Sequence, residues 1–373
     1  MQSNTFTTWQ TIFSDLKDPR KPSGNYTYPL TDLLFLVVSA VVSGIESWDE
    51  IEDFGNYQKD WLCSYGPSFS KRIPSHDTLQ RVFSKLHPVS FQECLSKWVT
   101  QMTHLHTGVG HIAIDGKTVR RSYDRASEQS AIHLVSAYAS ELQLVLGQFK
   151  VDDKSNEITA IPELLDLIYL KDATVSIDAM GCQKTIAEKI IENSAHYVLA
   201  VKENQQELLE NIQHQFVILN SNDTHTSNDL GHGRIEKRTY QILTDLRFME
   251  SFQQDWQNLK SIIKLTAERT NKQTGATSTQ VRYYISDHTD TAVICQAIRN
   301  HWSIENSLHW VLDVIFHEDQ SRKRTENAAE NFSIILKVAL NLLKRNGNDK
   351  MSIKRRRFKA GMQNKYREQI LDI

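Results

Sequence analysis

The chain has 373 residues, of which 40% are hydrophobic and 24% are charged, and its formal net charge is −2 at pH 7. This composition is typical of a globular protein with two or three domains, and it excludes a chain that is mostly disordered, collagen-like or a single coiled coil. No apolar run approaches the roughly 20 residues of a membrane span, the N-terminus lacks the pattern of a signal peptide, and the four cysteines are too scattered for a zinc site. We therefore expect a cytoplasmic protein with reduced thiols.

Residues 1–105 have the hydrophobic spacing of helices. Leu30–Val42 predicts a buried helix, and residues 48–61 place aromatic and aliphatic side chains at steps of three and four. Ser75 is a suitable N-cap for the helix that would follow it, and another helix is expected to open at Pro88 and to run over residues 91–105. We therefore predict a helical N-terminal domain.

The pattern changes at Gly108, where short apolar runs replace the helical spacing. Strands are predicted over residues 111–115, 132–139, 142–151, 173–177 and 196–201, with helices over 158–169 and 183–193. Strand patterns return at 238–243, 260–266 and 280–285, and two helices follow at 292–316 and 326–344. This order predicts a mixed α/β domain with a β-rich insertion over residues 220–287.

Charge is distributed unevenly along the chain. Residues 320–373 contain 14 lysines and arginines but only 5 acidic residues, whereas the rest of the chain is net acidic. A basic segment on an acidic body favours a polyanionic partner, although the same charges would also suit the solvated surface of a helix. The basic run KRRRFK at residues 354–359 predicts either a contact to a DNA backbone or a disordered tail.

Two acidic residues directly follow short apolar strands: Asp115 in AIDGK and Asp178 in SIDAMG. Functional groups gather beyond strand ends in open α/β sheets, and a carboxylate there can bind a hard cation through oxygen. The glycines that follow, Gly116 and Gly181, would let a backbone or a substrate approach closely. Taken singly, an aspartate at a strand end is more often a turn former or a helix cap.

A third acidic residue, Glu305, lies in HWSIENSLHW on the predicted late helix. Trp302, Glu305, His309 and Asp313 are spaced by three or four residues and therefore share a face. On the simpler interpretation the tryptophans are core residues and Glu305 faces solvent. On the functional interpretation, the three carboxylates hold two Mg²⁺ or Mn²⁺ ions about 3.5–4 Å apart, which suits in-line cleavage of a phosphodiester.

Eight segments, taken in order, make the chain similar to a known family. They are FSDLKDPRKPSGNYTYPLTDLL, AIDGKTVRRS, SIDAMGCQ, VKENQ, GHGRIEKR, YYISD, HWSIENSLHWVLDVIFHEDQSRKR and NAAENFSIILKVALNLLK. The chain resembles the DDE-type insertion-sequence transposases of the ISAs type, which include the H-repeat-associated proteins of bacteria. The likeness extends over residues 11–344, and the eight segments together are specific although each is weak alone.

The resemblance implies an α/β fold with an RNase H-like catalytic core over residues 106–345, including the β-rich insertion over 220–287. It also implies a helical N-terminal transposase-associated domain over residues 1–105 and a basic C-terminal tail over 346–373. Asp115, Asp178 and Glu305 would be the catalytic, metal-binding acids, with Mg²⁺ or Mn²⁺ as cofactor. The protein would cut double-stranded DNA at the inverted repeats of its element and join the 3′-OH ends to target DNA as a homodimer.

Further residues are expected to contact DNA phosphates. In a broader group of relatives the glutamate helix carries tyrosine, arginine and lysine where this chain has Ile298, His301 and Leu312, so other residues would have to substitute for them. The expected contacts are Lys117, Arg120, Arg121, Lys202, His232, Arg234, Arg299, His301 and His309. A merely solvated side chain is the simpler interpretation for several of these residues.

Two other functions remain open at the level of sequence. A structure-specific nuclease with the same fold would cut branched DNA without preference for inverted repeats. A regulator derived from a transposase would bind DNA without cutting it. The intact acids Asp115, Asp178 and Glu305 favour an enzyme over the regulator.

Overall fold

The computed structural model describes residues 11–21, 26–103, 110–123, 130–152, 156–221, 223–231, 233–345 and 350–373. Within these ranges the chain is a mixed α/β protein with one nine-stranded sheet, which confirms the predicted fold class at that level. Among the described helices, none is both long and apolar enough to cross a membrane.

The segment before the sheet is helical, as predicted. Its helices are α1 Leu30–Val42, α2 Trp48–Tyr57, α3 Lys59–Cys63, α4 His76–Lys85 and α5 Pro88–Thr103. Ser47 and Glu50 form a capping box at the start of α2, and Ser75 caps α4 by accepting from the backbone N–H of Thr78. The single helix expected over residues 48–61 is divided at Gln58, where α2 ends before α3 begins.

One half of the sheet carries the two predicted strand-end acids. Its strands lie in the order β3-β2-β1-β4-β5 and are β1 His111–Thr118, β2 His133–Ala139, β3 Leu144–Val151, β4 Thr174–Ile177 and β5 His196–Val201. β2 is antiparallel to β1 and β3, whereas β1, β4 and β5 are parallel. Because Ile114 pairs with Ile177, the next residues, Asp115 and Asp178, come side by side at the carboxyl edge of the sheet.

The later strands extend this sheet instead of forming a separate layer. They are β6 Asp223–Gly231, β7 Arg234–Leu243, β8 Ser261–Asn271 and β9 Thr277–Ser286, and all pair antiparallel with their neighbours. β9 joins the first half of the sheet by pairing with β5, with Val198 opposite Ser286. β6 lies within the predicted β-rich insertion but was not predicted as a strand, because its side chains DTHTSNDLG are exposed or half-buried and show no apolar alternation.

Helices connect β3 to β4, β4 to β5, β5 to β6 and β7 to β8. α6 Glu157–Leu167 and α7 Lys184–Glu192 flank β4, α8 Gln206–Ile218 follows β5, and the short α9 Glu250–Asp255 lies between β7 and β8. The predicted late helix is α10 Thr291–Ile304 followed by a π turn over Glu305–His309 and by α11 Trp310–Val314. α10 packs against β1 and β4, which brings the π turn to the carboxyl edge of the sheet.

A long buried helix joins the N-terminal helices to the sheet. α12 Ala328–Arg345 is buried along most of its length and packs against α1, α4, α5 and β3. One continuous hydrophobic cluster therefore includes side chains from the N-terminal helices, from the sheet and from α12.

The C-terminal segment from residue 350 onward is folded, which corrects the expected basic tail over 346–373. α13 Ile353–Met362 and α14 Asn364–Leu371 pack against α1 and α12. Arg357 is buried and donates to the carbonyl oxygen of Val41 at 3.0 Å and to Glu46 Oε1 at 2.6 Å. Arg356 and Arg367 are buried as well. These guanidiniums bind groups of the fold itself, so they are not available to a DNA backbone.

Candidate active site

Three carboxylates from three different elements line one cavity of about 470 Å³. Asp115 lies in β1, Asp178 directly follows β4, and Glu305 is the first residue of the π turn. Asp178 Oδ1 also accepts from the backbone N–H of Met180 at 3.0 Å and so caps a short turn. Because a carboxylate has a second oxygen, the capping role and a ligand role are compatible in one residue.

The surroundings of Asp115 and Asp178 disfavour the negative charge of these two carboxylates. Burial raises the pKa of Asp115 to about 7, and the charges of Asp178 and Glu305 add to the effect. Burial and the nearby Glu157 also raise the pKa of Asp178. A divalent cation would relieve this repulsion, and carboxylate oxygens are the ligands that Mg²⁺ and Mn²⁺ prefer. The donor set of the cavity therefore fits such a cation.

A fourth carboxylate, Glu157, lies beside the cavity and was not predicted from the sequence. It stands in the first turn of α6, forms a hydrogen bond with His133 Nε2 at 2.7 Å, and raises the pKa of Asp115 and Asp178 through its charge. Gly116 makes room for it, because a Cβ there would collide with Glu157 and with His133. Acidic residues are common in the first turn of a helix, so the sequence around Glu157 did not indicate that this residue lies beside the cavity.

Gly181 makes room in the same way behind Asp178. A Cβ at this position would overlap Ile177 and would lie 3.0 Å from Ile161 Cδ1. The close approach expected at both glycines is therefore made by side chains of the fold and not by a substrate.

We expect Gly181→Ala to lower the free energy of unfolding by about 1–3 kcal/mol, because the added methyl group overpacks the end of β4. Urea denaturation measures the loss. Gly231→Ala is the matched control, since a Cβ at Gly231 meets nothing within 4 Å, and it should change stability little. Equal stabilities of the two variants would contradict this packing role.

A half-buried lysine holds the π turn that carries Glu305. Lys344 Nζ donates to the carbonyl oxygen of Ser307 at 2.7 Å and to Tyr138 Oη at 2.8 Å. Burial lowers the pKa of Lys344 to about 7. π turns interrupt the regular helical hydrogen bonds and are frequent at functional sites, so a side-chain donor to a carbonyl oxygen within the turn stabilises it.

Lys117 is not placed to contact DNA, contrary to the prediction. Its side chain is 12% exposed and forms ion pairs with Asp313, with Glu318 Oε2 at 2.6 Å and with Asp319 Oδ1 at 3.6 Å. Burial disfavours the ammonium charge, but the carboxylates of Glu318 and Asp313 outweigh burial and raise the pKa of Lys117. The lysine therefore ties β1 to the end of the glutamate helix and to the segment after it.

His301 lines the same cavity as the three acids, but the surroundings of His301 and of His309 do not favour a charged contact to a DNA phosphate. His301 Nδ1 forms a hydrogen bond with Ser176 Oγ at 2.8 Å, and burial together with the charge of Arg282 lowers its pKa to about 4. His309 Nδ1 lies 3.5 Å from Asp115 Oδ2, and burial lowers its pKa to about 3. These low pKa values disfavour the positive charge that would attract a phosphate to either ring.

Three of the predicted phosphate contacts lie at or near the edge of the sheet that carries the acids. Lys202 follows β5 and lines the same cavity as the three acids. Arg120 and Arg121 are exposed just beyond β1, and Arg120 forms an ion pair with Asp319 at 3.2 Å. These side chains are accessible to a large anionic ligand.

Two other predicted contacts, Arg299 and Arg234, are not brought to the acids. Arg299 lies on α10 and forms an ion pair with Asp229 at 2.8 Å. Arg234 begins β7 at the end far from the buried Leu243, roughly 30 Å away at about 3.3 Å per residue. His232 lies outside the described residues.

A second group of metal-type ligands lies at the opposite edge of the sheet. His196, Asp287 and His288 bring one ligand atom each within 4.8 Å of one another. Asp287 accepts from the backbone N–H of Tyr197 at 2.8 Å and contacts His196 Nδ1 at 2.6 Å, while His288 Nε2 contacts Thr174 Oγ1 at 2.9 Å. These contacts join the starts of β4 and β5 to the end of β9, so the cluster stabilises the packing of these strands.

Two family models match the chain. Residues 10–99 match the family described as "DDE_Tnp_1-associated", and residues 107–342 match the family described as "Transposase DDE domain". Among solved structures, a piggyBac transposase synaptic complex with hairpin DNA is 10% identical, with a TM-score of 0.43 over 99% of this chain and 81% of that chain.

Curated bacterial relatives match over nearly the full length. The Escherichia coli O157:H7 protein named "Putative transposase YncI" is 43% identical over 94% of this chain and 91% of its own. The Escherichia coli K12 protein named "H repeat-associated putative transposase YhhI" is 42% identical over 92% of this chain and 90% of its own. This agrees with the family that the eight sequence segments indicated. The chain therefore belongs to the family of DDE transposases.

Proposed function

We propose that this chain is a DNA transposase that cuts at the terminal inverted repeats of its insertion sequence and joins the freed 3′-OH ends to target DNA. The observation that carries the proposal is the convergence of Asp115, Asp178 and Glu305 on one cavity. Membership of the transposase DDE domain family supports the same activity. The strand order β3-β2-β1-β4-β5, with β1, β4 and β5 parallel, supports an RNase H-like core.

Asp115, Asp178 and Glu305 would hold the cofactor, Mg²⁺ or Mn²⁺. When bound, a pair of these ions would supply Lewis-acid stabilisation of the attacking and the leaving oxygen. The fold positions these three ligands, because paired strands hold the two aspartates side by side and the π turn holds the glutamate. Lys202, on the wall of the same cavity, offers its positive charge to a DNA phosphate.

The proposed partner is double-stranded DNA, both at the ends of the element and at the target. Arg120 and Arg121, exposed beyond β1, would contact the backbone of DNA that leaves the cavity. Both ends of an element have to be joined to one target, so we propose a homodimer as the active complex.

The test is a cutting assay with the purified protein and labelled DNA from both flanks of its gene. Mg²⁺ or Mn²⁺ is added, and the cut positions on each strand are mapped. We expect metal-dependent cuts at matching inverted repeats. Cuts at branched DNA without any preference for the repeats would favour a structure-specific nuclease, and binding without cutting would favour a silent regulator.

Metal binding gives a second prediction, which does not depend on cutting. Mg²⁺ should raise the melting temperature of the wild-type protein, because a cation neutralises three carboxylates that repel one another. At a concentration of 100 times Kd the gain is about 2.7 kcal/mol. Differential scanning calorimetry of Asp115→Asn should show most of this gain lost, whereas Asp255→Asn, which removes an exposed carboxylate, should keep it. An equal gain in both variants would place the bound cation elsewhere.

A further inference from the structure

A second cavity adjoins the catalytic cavity. Its volume is about 160 Å³, and its walls come from β7, β8, β9 and α10. Arg282, Ile298 and Trp302 line both cavities. A polymer that leaves the acids along this wall would therefore pass directly from one cavity into the other.

The second cavity has an excess of positive charge. Four arginines line it, and we call it the arginine cavity: Arg238, Arg269, Arg282 and Arg299. Only two carboxylates, Glu236 and Asp229, form ion pairs with these arginines among the described residues. The group therefore keeps two uncompensated positive charges, and guanidinium forks match the geometry of phosphate oxygens.

Arg282 is the arginine of this group with no carboxylate partner within 4 Å among the described residues. Its guanidinium donates to Gln280 Oε1 at 2.9 Å and lies over the ring of Trp302, 4.9 Å from the ring centroid. Trp302 remains 39% exposed. An exposed indole beside a guanidinium that forms no ion pair offers a stacking surface for a base next to a donor for its phosphate.

We propose that Arg282 and Trp302 clamp the DNA strand next to the cut phosphodiester, with a base on Trp302, a phosphate on Arg282 and the following phosphates in the arginine cavity. The inference rests on the proposed function for the choice of DNA as ligand. It also names a source of positive charge on this wall of the cavity, because Arg282 reaches the wall from strand β9. The surface of α10 supplies the stacking ring and β9 supplies the charge.

The test measures binding of labelled oligonucleotides by fluorescence anisotropy in EDTA, so that no strand is cut. The probes are a thymidine oligomer and an abasic oligomer of the same length. Trp302→Ala should weaken binding of the thymidine oligomer by about 5- to 100-fold and leave the abasic oligomer nearly unchanged, because only the first probe can stack. Arg282→Gln should weaken both probes and reduce the slope of log K against log salt by about 0.7.

Three control variants distinguish loss of the clamp from the loss of any exposed tryptophan or arginine and from misfolding. Trp310→Ala removes an exposed tryptophan outside both cavities, and Arg247→Gln removes an exposed arginine, so both variants should bind like wild type. Trp302→Phe keeps an aromatic ring and should recover most of the affinity, which guards against misfolding of the alanine variant.

Equal affinity of Trp302→Ala and Trp310→Ala for the thymidine oligomer would overturn the clamp, even if the protein still cuts DNA at its repeats. Conversely, the expected binding pattern in a protein that never cuts DNA would support the clamp and contradict the transposase reaction. The two proposals therefore fail independently.

Discussion

Replacing Asp178 with asparagine should abolish metal-dependent strand cutting while DNA binding stays intact. The substitution removes one of three anionic oxygen ligands from the catalytic cavity. We expect cutting to slow by about a thousandfold or more, which corresponds to about 4 kcal/mol of lost transition-state stabilisation. Gel-based cutting and anisotropy on the same labelled flanking DNA measure both quantities.

The substitution Asp178→Asn is expected to leave the fold unchanged. Asparagine retains a side-chain oxygen that can accept from the backbone N–H of Met180, so the turn after β4 keeps its cap. DNA affinity should stay equal or rise slightly, because a negative charge leaves a surface that faces phosphates. Asp255→Asn, on the exposed α9, is the matched control and should cut like wild type. Full activity of Asp178→Asn would overturn the catalytic assignment.

Lys117→Met should lower the free energy of unfolding by about 3–5 kcal/mol, the largest loss of stability that we expect from a single substitution in the region of the site. The variant leaves Glu318, which is 3% exposed, without its nearest cation. In the wild-type protein burial would raise the pKa of Glu318, but Lys117 and Lys337 hold it below its ordinary value. Without Lys117 the Glu318 carboxylate is still buried, but it loses the largest favourable electrostatic interaction that offsets the cost of burying its charge. Urea denaturation at pH 7 measures the loss.

The neighbouring arginine provides the control. Arg120 shares the partner Asp319 but is 82% exposed, so Arg120→Gln should change stability by at most about 0.5 kcal/mol. The double variant Lys117→Met with Glu318→Gln should recover part of the loss, because the unpaired buried charge is gone. A stable Lys117→Met protein with weakened DNA binding would restore the original interpretation of this residue as a phosphate contact.

Elements with strong local patterns were predictable from the sequence. Leu30–Val42 is a helix with the bounds that its apolar run indicated, and the apolar runs before Asp115 and Asp178 are strands, as expected. β1 does not end before Asp115, however, but continues through it to Thr118, because residues 115–118 pair with β2. β6 had no such pattern and was missed, because its stability comes from pairing with β7 and not from burial of its own side chains. Pairing partners of an exposed strand are not encoded in its local periodicity.

The roles of charged residues were predictable only in part. Lys117, Arg356 and Arg357 were assigned to DNA or to a solvated tail on their charge, yet each is buried against carboxylates or carbonyl oxygens. Arg282 and Glu157 were overlooked, because each lies far along the chain from the residues that it meets at the cavity. Charge in a sequence indicates a need for a partner, and the fold decides whether that partner lies inside the protein or outside it.

The sequence by itself determined the helical start, the α/β order, the two aspartates after short apolar runs and the family, because periodicity and short motifs are local properties of the chain. Only the tertiary structure decided that Ile114 pairs with Ile177 and that a π turn brings Glu305 to the two aspartates. The tertiary structure also decided which lysine and arginine side chains lie in the core and which line the cavities. These outcomes depend on contacts between residues distant in sequence, where burial and neighbouring charges set the chemistry of each side chain.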